Sequence, residues 1–254
     1  MKWLVLIPSF NTGPDLLLRT VKSALDHAPE VWVVIDGSTD ASPAALQAFA
    51  AEVPRLKVLQ LPKNQGKGAA LLHGVKAAKE VGFSHVLTMD ADGQHPADQI
   101  TSYVALAERY PEAVMIGVPT FGPEAPSVRV QGRKISNFFV HVETLGWGVG
   151  DCLFGMRMYP CEALLRAFAR TAFARRFDFD AEIAVRLAWL GVPMLNVPTP
   201  VRYLSKEEGG VSQFRYGRDN LLLTWMHTRL VIGAVLRLPF TLWRRLSRRT
   251  PPCL

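Results

Sequence analysis

Five short apolar runs constrain this chain more than any other feature. Residues 3–7, 31–35, 56–61, 85–89 and 113–118 are each about as long as a buried strand, and none alternates apolar with polar side chains. Strands of that kind are covered on both faces, which is the habit of parallel sheets. Helical patterns separate them, over residues 14–28, 43–51, 66–81 and 96–110, and Pro14, Pro43 and Pro96 sit where proline suits a first turn. The alternation predicts an α/β domain with a mostly parallel central sheet, flanking helices and right-handed crossovers. In such sheets ligands bind beyond the carboxyl ends of the strands.

The residues following the first four runs are therefore the ones to read for chemistry. They are Pro8-Ser9-Phe10-Asn11, Asp36-Gly37-Ser38-Thr39-Asp40, Asn64-Gln65-Gly66-Lys67-Gly68 and Asp90-Ala91-Asp92-Gly93-Gln94-His95-Pro96. Any one of them is an ordinary turn composition. Four in succession, all delivered to one sheet edge, predict a site. Asp90 and Asp92 are two apart, so in an extended segment their side chains point the same way, and Gln94 continues the set. Two carboxylates and an amide oxygen are hard ligands suited to Mg2+ or Mn2+ as cofactor. Such a cation commonly completes its shell with substrate phosphates, which implies a diphosphate substrate. His95 reads as a residue placed before Pro96 in preference to a metal ligand. Gly66-Lys67-Gly68 opens a helix and offers amides and an ammonium to a phosphate, although it lacks the spacing of a Walker A loop.

In this order the motifs resemble the family 2 glycosyltransferases, nearest the polyprenyl- or dolichyl-phosphate sugar synthases. The likeness continues through Asp151, Gly155-Met156-Arg157, Phe177-Asp178-Phe179-Asp180-Ala181-Glu182 and Arg202 with Gly210-Val211-Ser212, covering about residues 2–215. It implies the GT-A nucleotide-diphosphosugar transferase fold and a nucleotide-diphosphate sugar donor. By the same resemblance Pro8 and Asn11 border the nucleotide, Asp36 reads the base, and Lys67 and Asp90 face the ribose and diphosphate. Asp92 and Gln94, beside Asp90, hold the metal. Asp151 lines the sugar pocket, Asp180 and Glu182 form the acidic segment on the acceptor side, and Arg202 and Ser212 contact phosphate. Ile35 departs from the two acids that the family often places before Gly-Ser, which leaves the donor base open. Inversion at the anomeric carbon is a further expectation from the resemblance.

The second half is less regular. Residues 128–145 predict a helix carrying Arg129, Arg133 and Lys134, residues 151–159 a strand, and residues 179–190 a helix ending at Gly191. Asp180 and Glu182 are i and i+2 on that helix and do not share a face, and Asp178 is a third candidate acid. A hydroxyl acceptor would need a general base among them, whereas a lipid phosphate, already anionic, would not.

Charge divides the chain. Residues 1–200 hold 19 basic and 19 acidic side chains, and residues 201–254 hold 10 basic against 3, so the net +7 lies entirely in the tail. A neutral body predicts no nucleic acid partner. From residue 220 to 243 the tail is strongly apolar, yet it holds Arg229 and Arg237, and Pro239 is expected to break it. On a helical projection Arg218, Arg229, Arg237 and Arg244 fall within an arc of about 100°, opposite Leu221, Trp225, Ile232 and Val235. With Arg245, Arg248 and Arg249 behind them, these residues predict C-terminal amphipathic helices on a membrane surface. The expected organisation is thus a transferase domain over 1–215 and a basic tail over 216–254. The protein is expected at the cytoplasmic face of the membrane, peripheral, with a lipid-linked acceptor. Three scattered cysteines and a first apolar run too short for a signal sequence suit that compartment. The competing readings are a nucleotidyltransferase, which would release pyrophosphate, and a non-catalytic scaffold, which would have no use for clustered acids.

Overall fold

The computed structural model describes residues 1–122, 127–201 and 216–247. Seven strands form one sheet in the order β3-β2-β1-β4-β6-β5-β7. These are β1 (Trp3–Ser9), β2 (Val31–Asp36), β3 (Leu56–Leu61), β4 (His85–Thr88), β5 (Val114–Thr120), β6 (Arg157–Pro160) and β7 (Met194–Pro200). All neighbours pair in parallel except β6, which runs antiparallel between β4 and β5. The first four apolar runs are thus parallel neighbours, and β2 is buried at every residue.

Alternate side chains of β1 enter opposite layers. Val5 and Ile7 pack with Leu17 and Val21 of α1 (Pro14–Leu25), Leu46 of α2 (Ser42–Glu52) and Ile100 and Tyr103 of α4 (Ile100–Arg109). Leu4 and Leu6 pack with Leu71 and Val75 of α3 (Lys67–Glu80), Leu164 of α6 (Cys161–Phe168) and Phe179 and Ile183 of α7 (Phe179–Leu190). Sheet period 2 meeting helix period 3.6 produces this three-layer arrangement. A third, smaller core joins α5 (Ser127–Thr144), α7 and α8 (Tyr216–Ser247) through Val140, Val185, Met226 and Leu230.

Several expectations need correction. The strand expected over 151–159 begins only at Arg157, because the Asp151 carboxylate ties up the Leu153 and Phe154 amides and shapes the preceding residues into a loop. The helix expected from Pro96 opens as a single 3-10 turn, Ala97–Gln99, before α4. Among the described residues the tail forms one 32-residue helix that runs through Pro239. Pro239 removes one helical hydrogen bond, but the surrounding Val235, Leu236 and Leu238 are exposed, so the freed carbonyl is not buried.

Candidate functional site

The polar segments converge as expected because parallel register aligns their strand ends. Ser9 lies beside Ile35, Asp36 beside Leu61, and Leu6 beside Thr88. Antiparallel pairing of β6 with β4, Thr88 opposite Arg157, brings the 151–156 loop to the same edge. The turns are knitted to one another. Asn11, in a left-handed conformation, accepts the Thr39 amide on its side-chain oxygen (2.8 Å) and donates its own amide to Ser38 Oγ (3.0 Å). Asp40 accepts the Gly13 amide at 2.9 Å. Asp36 is buried, and its two oxygens accept the amides of Gln65 (2.8 Å) and Gly66 (2.7 Å), so it holds the mouth of α3 against β2. Gly37 makes this possible: its φ is +65°, and a Cβ there would stand 2.3 Å from the Asn64 nitrogen. Pro8 is half-buried within β1, one strand away.

The centre of the edge is a row of three charges. Lys67 Nζ lies 2.7 Å from Asp90 Oδ1 and 2.7 Å from Asp180 Oδ2. Burial opposes the charge on Lys67, but the two carboxylates outweigh it and raise its pKa. Burial likewise opposes ionisation of Asp90, and the neighbouring Lys67 ammonium outweighs that and lowers its pKa. The backbone must come very close here. A Cβ on Gly155 would stand 2.5 Å from Asp90 Oδ2 and 2.7 Å from Lys67 Nζ. His95 is buried, and its Nδ1 accepts the Asp90 amide at 3.0 Å while the ring meets Phe154 edge-on. Burial lowers its pKa, and its Nε2 lies 3.7 Å from Asp90 Oδ2.

Asp92 differs from Asp90. Its Oδ1 accepts the Gln94 amide at 3.1 Å, and among the described residues no cation lies within ion-pair distance. Burial and then the negative charge of Asp90 raise its pKa. Among the described residues no three acids, histidines or cysteines close a complete metal cage. Two carboxylates of which one lacks a counter-charge fit a hard divalent cation that takes its other ligands from phosphate and water. Gln94 lies half-buried in the same turn.

The acids of the second half separate sharply. Of these acids Asp180 joins the Lys67 row, and its Oδ1 is buried without a hydrogen-bond partner among the described residues. Asp178 spends its carboxylate on the Ala174 and Arg176 amides. Glu182, fully buried, turns away to Thr171 Oγ1 (2.6 Å), Arg186 (2.9 Å) and Arg229 of α8 (3.0 Å). Asp151 is bound by Arg133, Asn137 and the Leu153 and Phe154 amides, which fastens its loop to α5. Arg202 and Ser212 lie outside the described residues, as does the polybasic end beyond Ser247.

Within the arginine arc of α8, Arg229 turns inward, whereas Arg218 and Arg237 are exposed. Arg229 pairs with Glu182 and stacks over Phe173 (3.6 Å to the ring centroid), and Arg237 stacks over Trp189 at 4.5 Å. His227 Nδ1 bonds Glu143 of α5 at 2.8 Å. The opposite arc, with Leu221, Trp225, Ile232, Val235 and Leu236, is exposed. On α5, Ile135, Phe138, Phe139 and Val142 are exposed as well. Sequence patterning found the two arcs of α8 but not the apolar flank of α5. The mixed composition of α5, with Arg133, Lys134 and Asn137 among its apolar residues, hides that flank in the sequence.

A sequence profile described as Glycosyl transferase family 2 matches residues 4–168. An undecaprenyl-phosphate mannosyltransferase of Micrococcus luteus is 28% identical over 223 residues, 82% of this chain and 86% of that one. An undecaprenyl-phosphate 4-deoxy-4-formamido-L-arabinose transferase of Pseudomonas fluorescens is 30% identical over 81% of this chain. The match spans only 58% of that longer protein. Among solved structures, glucosyl-3-phosphoglycerate synthase from Mycobacterium tuberculosis in complex with Mn2+, UDP-glucose and phosphoglyceric acid superposes with a TM-score of 0.60. It covers 92% of this chain and 78% of that one at 18% identity, a likeness of fold.

Proposed function

The chain belongs to glycosyl transferase family 2, and from that premise we propose that it moves a sugar from a nucleoside diphosphate donor to the phosphate of a polyprenyl lipid at a membrane surface, with inversion. One observation carries this reading. The Lys67–Asp90–Asp180 row and the unpaired Asp92 meet at the edge of a body whose α5 and α8 turn apolar side chains outward.

A divalent cation, Mg2+ or Mn2+, would be held by Asp90 and Asp92, with Gln94 beside them, and would supply charge to the departing diphosphate. Lys67 adds a second, fixed positive charge at that position, oriented in advance by Asp180 and therefore needing no reorganisation as the bond breaks. A phosphate acceptor arrives ionised, so no residue must remove a proton from it. Asp180 then serves to orient Lys67. With a hydroxyl acceptor, its unpartnered Oδ1 would be the atom available to take the proton.

The membrane side of the proposal rests on the exposed apolar arc of α8. The helix is long and apolar enough over Gly217–Trp243 to cross a bilayer by length and composition. However, its Arg229 and His227 are tied to α7 and α5 of the catalytic body, which favours a helix lying along the surface. A water-soluble helix hides its apolar side, whereas this one docks through a small apolar core at Met226 and Leu230 with the Glu182–Arg229 and Glu143–His227 pairs beside it and still leaves Trp225, Ile232 and Leu236 outside. The cytoplasmic leaflet, where nucleotide sugars are made, is the proposed location.

The test is transfer from a panel of UDP- and GDP-sugars with Mn2+ to undecaprenyl phosphate in vesicles, read as lipid-linked sugar. Asp92→Ala should lower turnover about 100-fold. Release of pyrophosphate instead of a nucleoside diphosphate would replace this reading with nucleotidyl transfer. Turnover unaffected in Asp92→Ala would remove the metal from it.

A further inference from the structure

Arg157 is wholly buried at the start of β6, in the middle of the sheet, where its backbone pairs with Thr88 and Ile116. Burying a guanidinium is costly unless its charge is answered. Among the described residues no carboxylate lies within ion-pair distance of it. Its protons go almost entirely to backbone carbonyls. Nε donates to Phe154 O (2.9 Å), Nη1 to Asp180 O (2.6 Å) and Tyr159 Oη (3.2 Å), and Nη2 to Asp151 O (3.3 Å).

Those carbonyls belong to segments that carry the site. Asp180 grips Lys67, and through it Asp90. Phe154 packs on the ring of His95, which accepts the Asp90 amide. Asp151 anchors the loop to α5. The first turn of α7 and the 151–154 loop are some thirty residues apart in sequence, yet one planar fork spans both. A lysine, with a single nitrogen, cannot hold three carbonyls at that spread.

We propose that Arg157 is a positioning residue for sugar transfer, fixing the spacing of the Lys67–Asp90–Asp180 row through the carbonyls of Asp151, Phe154 and Asp180. It touches neither donor nor acceptor. The inference rests on the transferase reading of the same site.

Arg157→Lys keeps the charge and loses the fork, and Leu164→Ala, in the core against α3 and α7, serves as a destabilised control. In Arg157→Lys, kcat should fall about 100-fold at little-changed KM, since a misplacement of about 1 Å costs that much. Binding of Mn2+ with UDP or GDP, measured by calorimetry, should stay within about threefold. Hydrogen exchange of the amides over 150–156 and 178–184 should quicken about tenfold. Leu164→Ala should lose thermal stability and show neither change. An Arg157→Lys enzyme retaining a third or more of the wild-type kcat, or unchanged exchange in those two segments, would overturn the proposal. So would an equal loss of kcat in Leu164→Ala. If the wild type transfers no sugar to any acceptor tried, the transferase reading fails, and the exchange measurement still decides whether Arg157 holds the two segments.

Discussion

The Glu182–Arg229 pair is the firmest test of how α8 docks. Glu182 is fully buried and Arg229 nearly so, with 3.0 Å between Oε2 and Nη2. Arg186, one turn further along α7, reaches the other oxygen at 2.9 Å, and Thr171 donates at 2.6 Å. Removing one partner of a buried pair costs about 3–5 kcal/mol because the other is left uncompensated. Arg229→Met leaves Glu182 with Arg186 and Thr171, so the lower end, about 2–3 kcal/mol, is expected. Glu182→Gln leaves two arginines facing each other with no carboxylate, and about 3–5 kcal/mol is expected. The double variant should recover about 1.5–3 kcal/mol of the sum, the range for a hydrogen bond to a charged group.

Urea unfolding followed by tryptophan fluorescence suits the measurement, because Trp225 and Trp189 flank the pair. Acid supplies an independent check. Burial opposes ionisation of Glu182, but the bonds from Arg229 and Thr171 outweigh it and hold its pKa below the ordinary 4.5. Its contribution is therefore complete above about pH 4.5 and is lost as pH falls through the folded value. Glu182→Gln should flatten that acid limb. A cycle coupling near zero, with Arg229→Met costing under about 0.5 kcal/mol, would refute the inward-facing arginine and return the arc to solvent or lipid headgroups.

Three further outcomes follow from the same geometry. Paired substitutions Ile135→Asp and Phe138→Asp on α5 should weaken flotation with anionic vesicles as much as Trp225→Asp and Leu236→Asp on α8; flotation unaffected by the α5 pair would confine lipid contact to α8. Gly155→Ala should cut turnover about 10- to 100-fold with little change in fold, since its Cβ would wedge between Lys67 and Asp90, and wild-type kinetics would mean that the contact is not used. His85 is buried with Nε2 2.8 Å from Pro111 O, and burial lowers its pKa from 6.5; stability should therefore decline as pH falls below about 6.5, and His85→Gln should soften that decline in a melting series from pH 7.5 to 5.

The first half of the chain could be read from sequence because its physics is local. Strands buried on both faces are unbroken apolar runs, and residues at their ends must leave the sheet together, so Asp36, Lys67, Asp90 and Asp92 were found without coordinates. The i, i+2 argument for Asp180 and Glu182 also held: one faces Lys67, the other Arg229. The misses are residues whose burial depends on distant partners. β6 begins six residues later than expected, and β7, not expected from the sequence, contains two prolines, a composition that argues against a strand. Arg157 is admitted to the sheet only because carbonyls from other segments surround it. For α8, the projection gave the exposed apolar arc but not the inward turn of Arg229, since the carboxylate that draws it lies 47 residues earlier.

That direction links the two ends of the proposed reaction. The first turn of α7 is gripped from opposite sides, by Lys67 at Asp180 and by Arg229 at Glu182, two residues apart. Because i and i+2 point to different faces of a helix, one turn can bind Lys67 and Arg229 of α8 at once. Arg157 holds the carbonyl of the same Asp180 from beneath. If α8 lies on lipid as proposed, its displacement would act on a turn whose position also sets the Lys67 ammonium. A membrane helix joined to the body only through an apolar interface could slide with small loss, since such contacts are non-directional. Buried ion pairs and charge-assisted hydrogen bonds fix distance and angle, so in the proposed function the Glu182–Arg229 pair, added to the apolar contacts of Met226 and Leu230, would couple the position of α8 to that of Asp180.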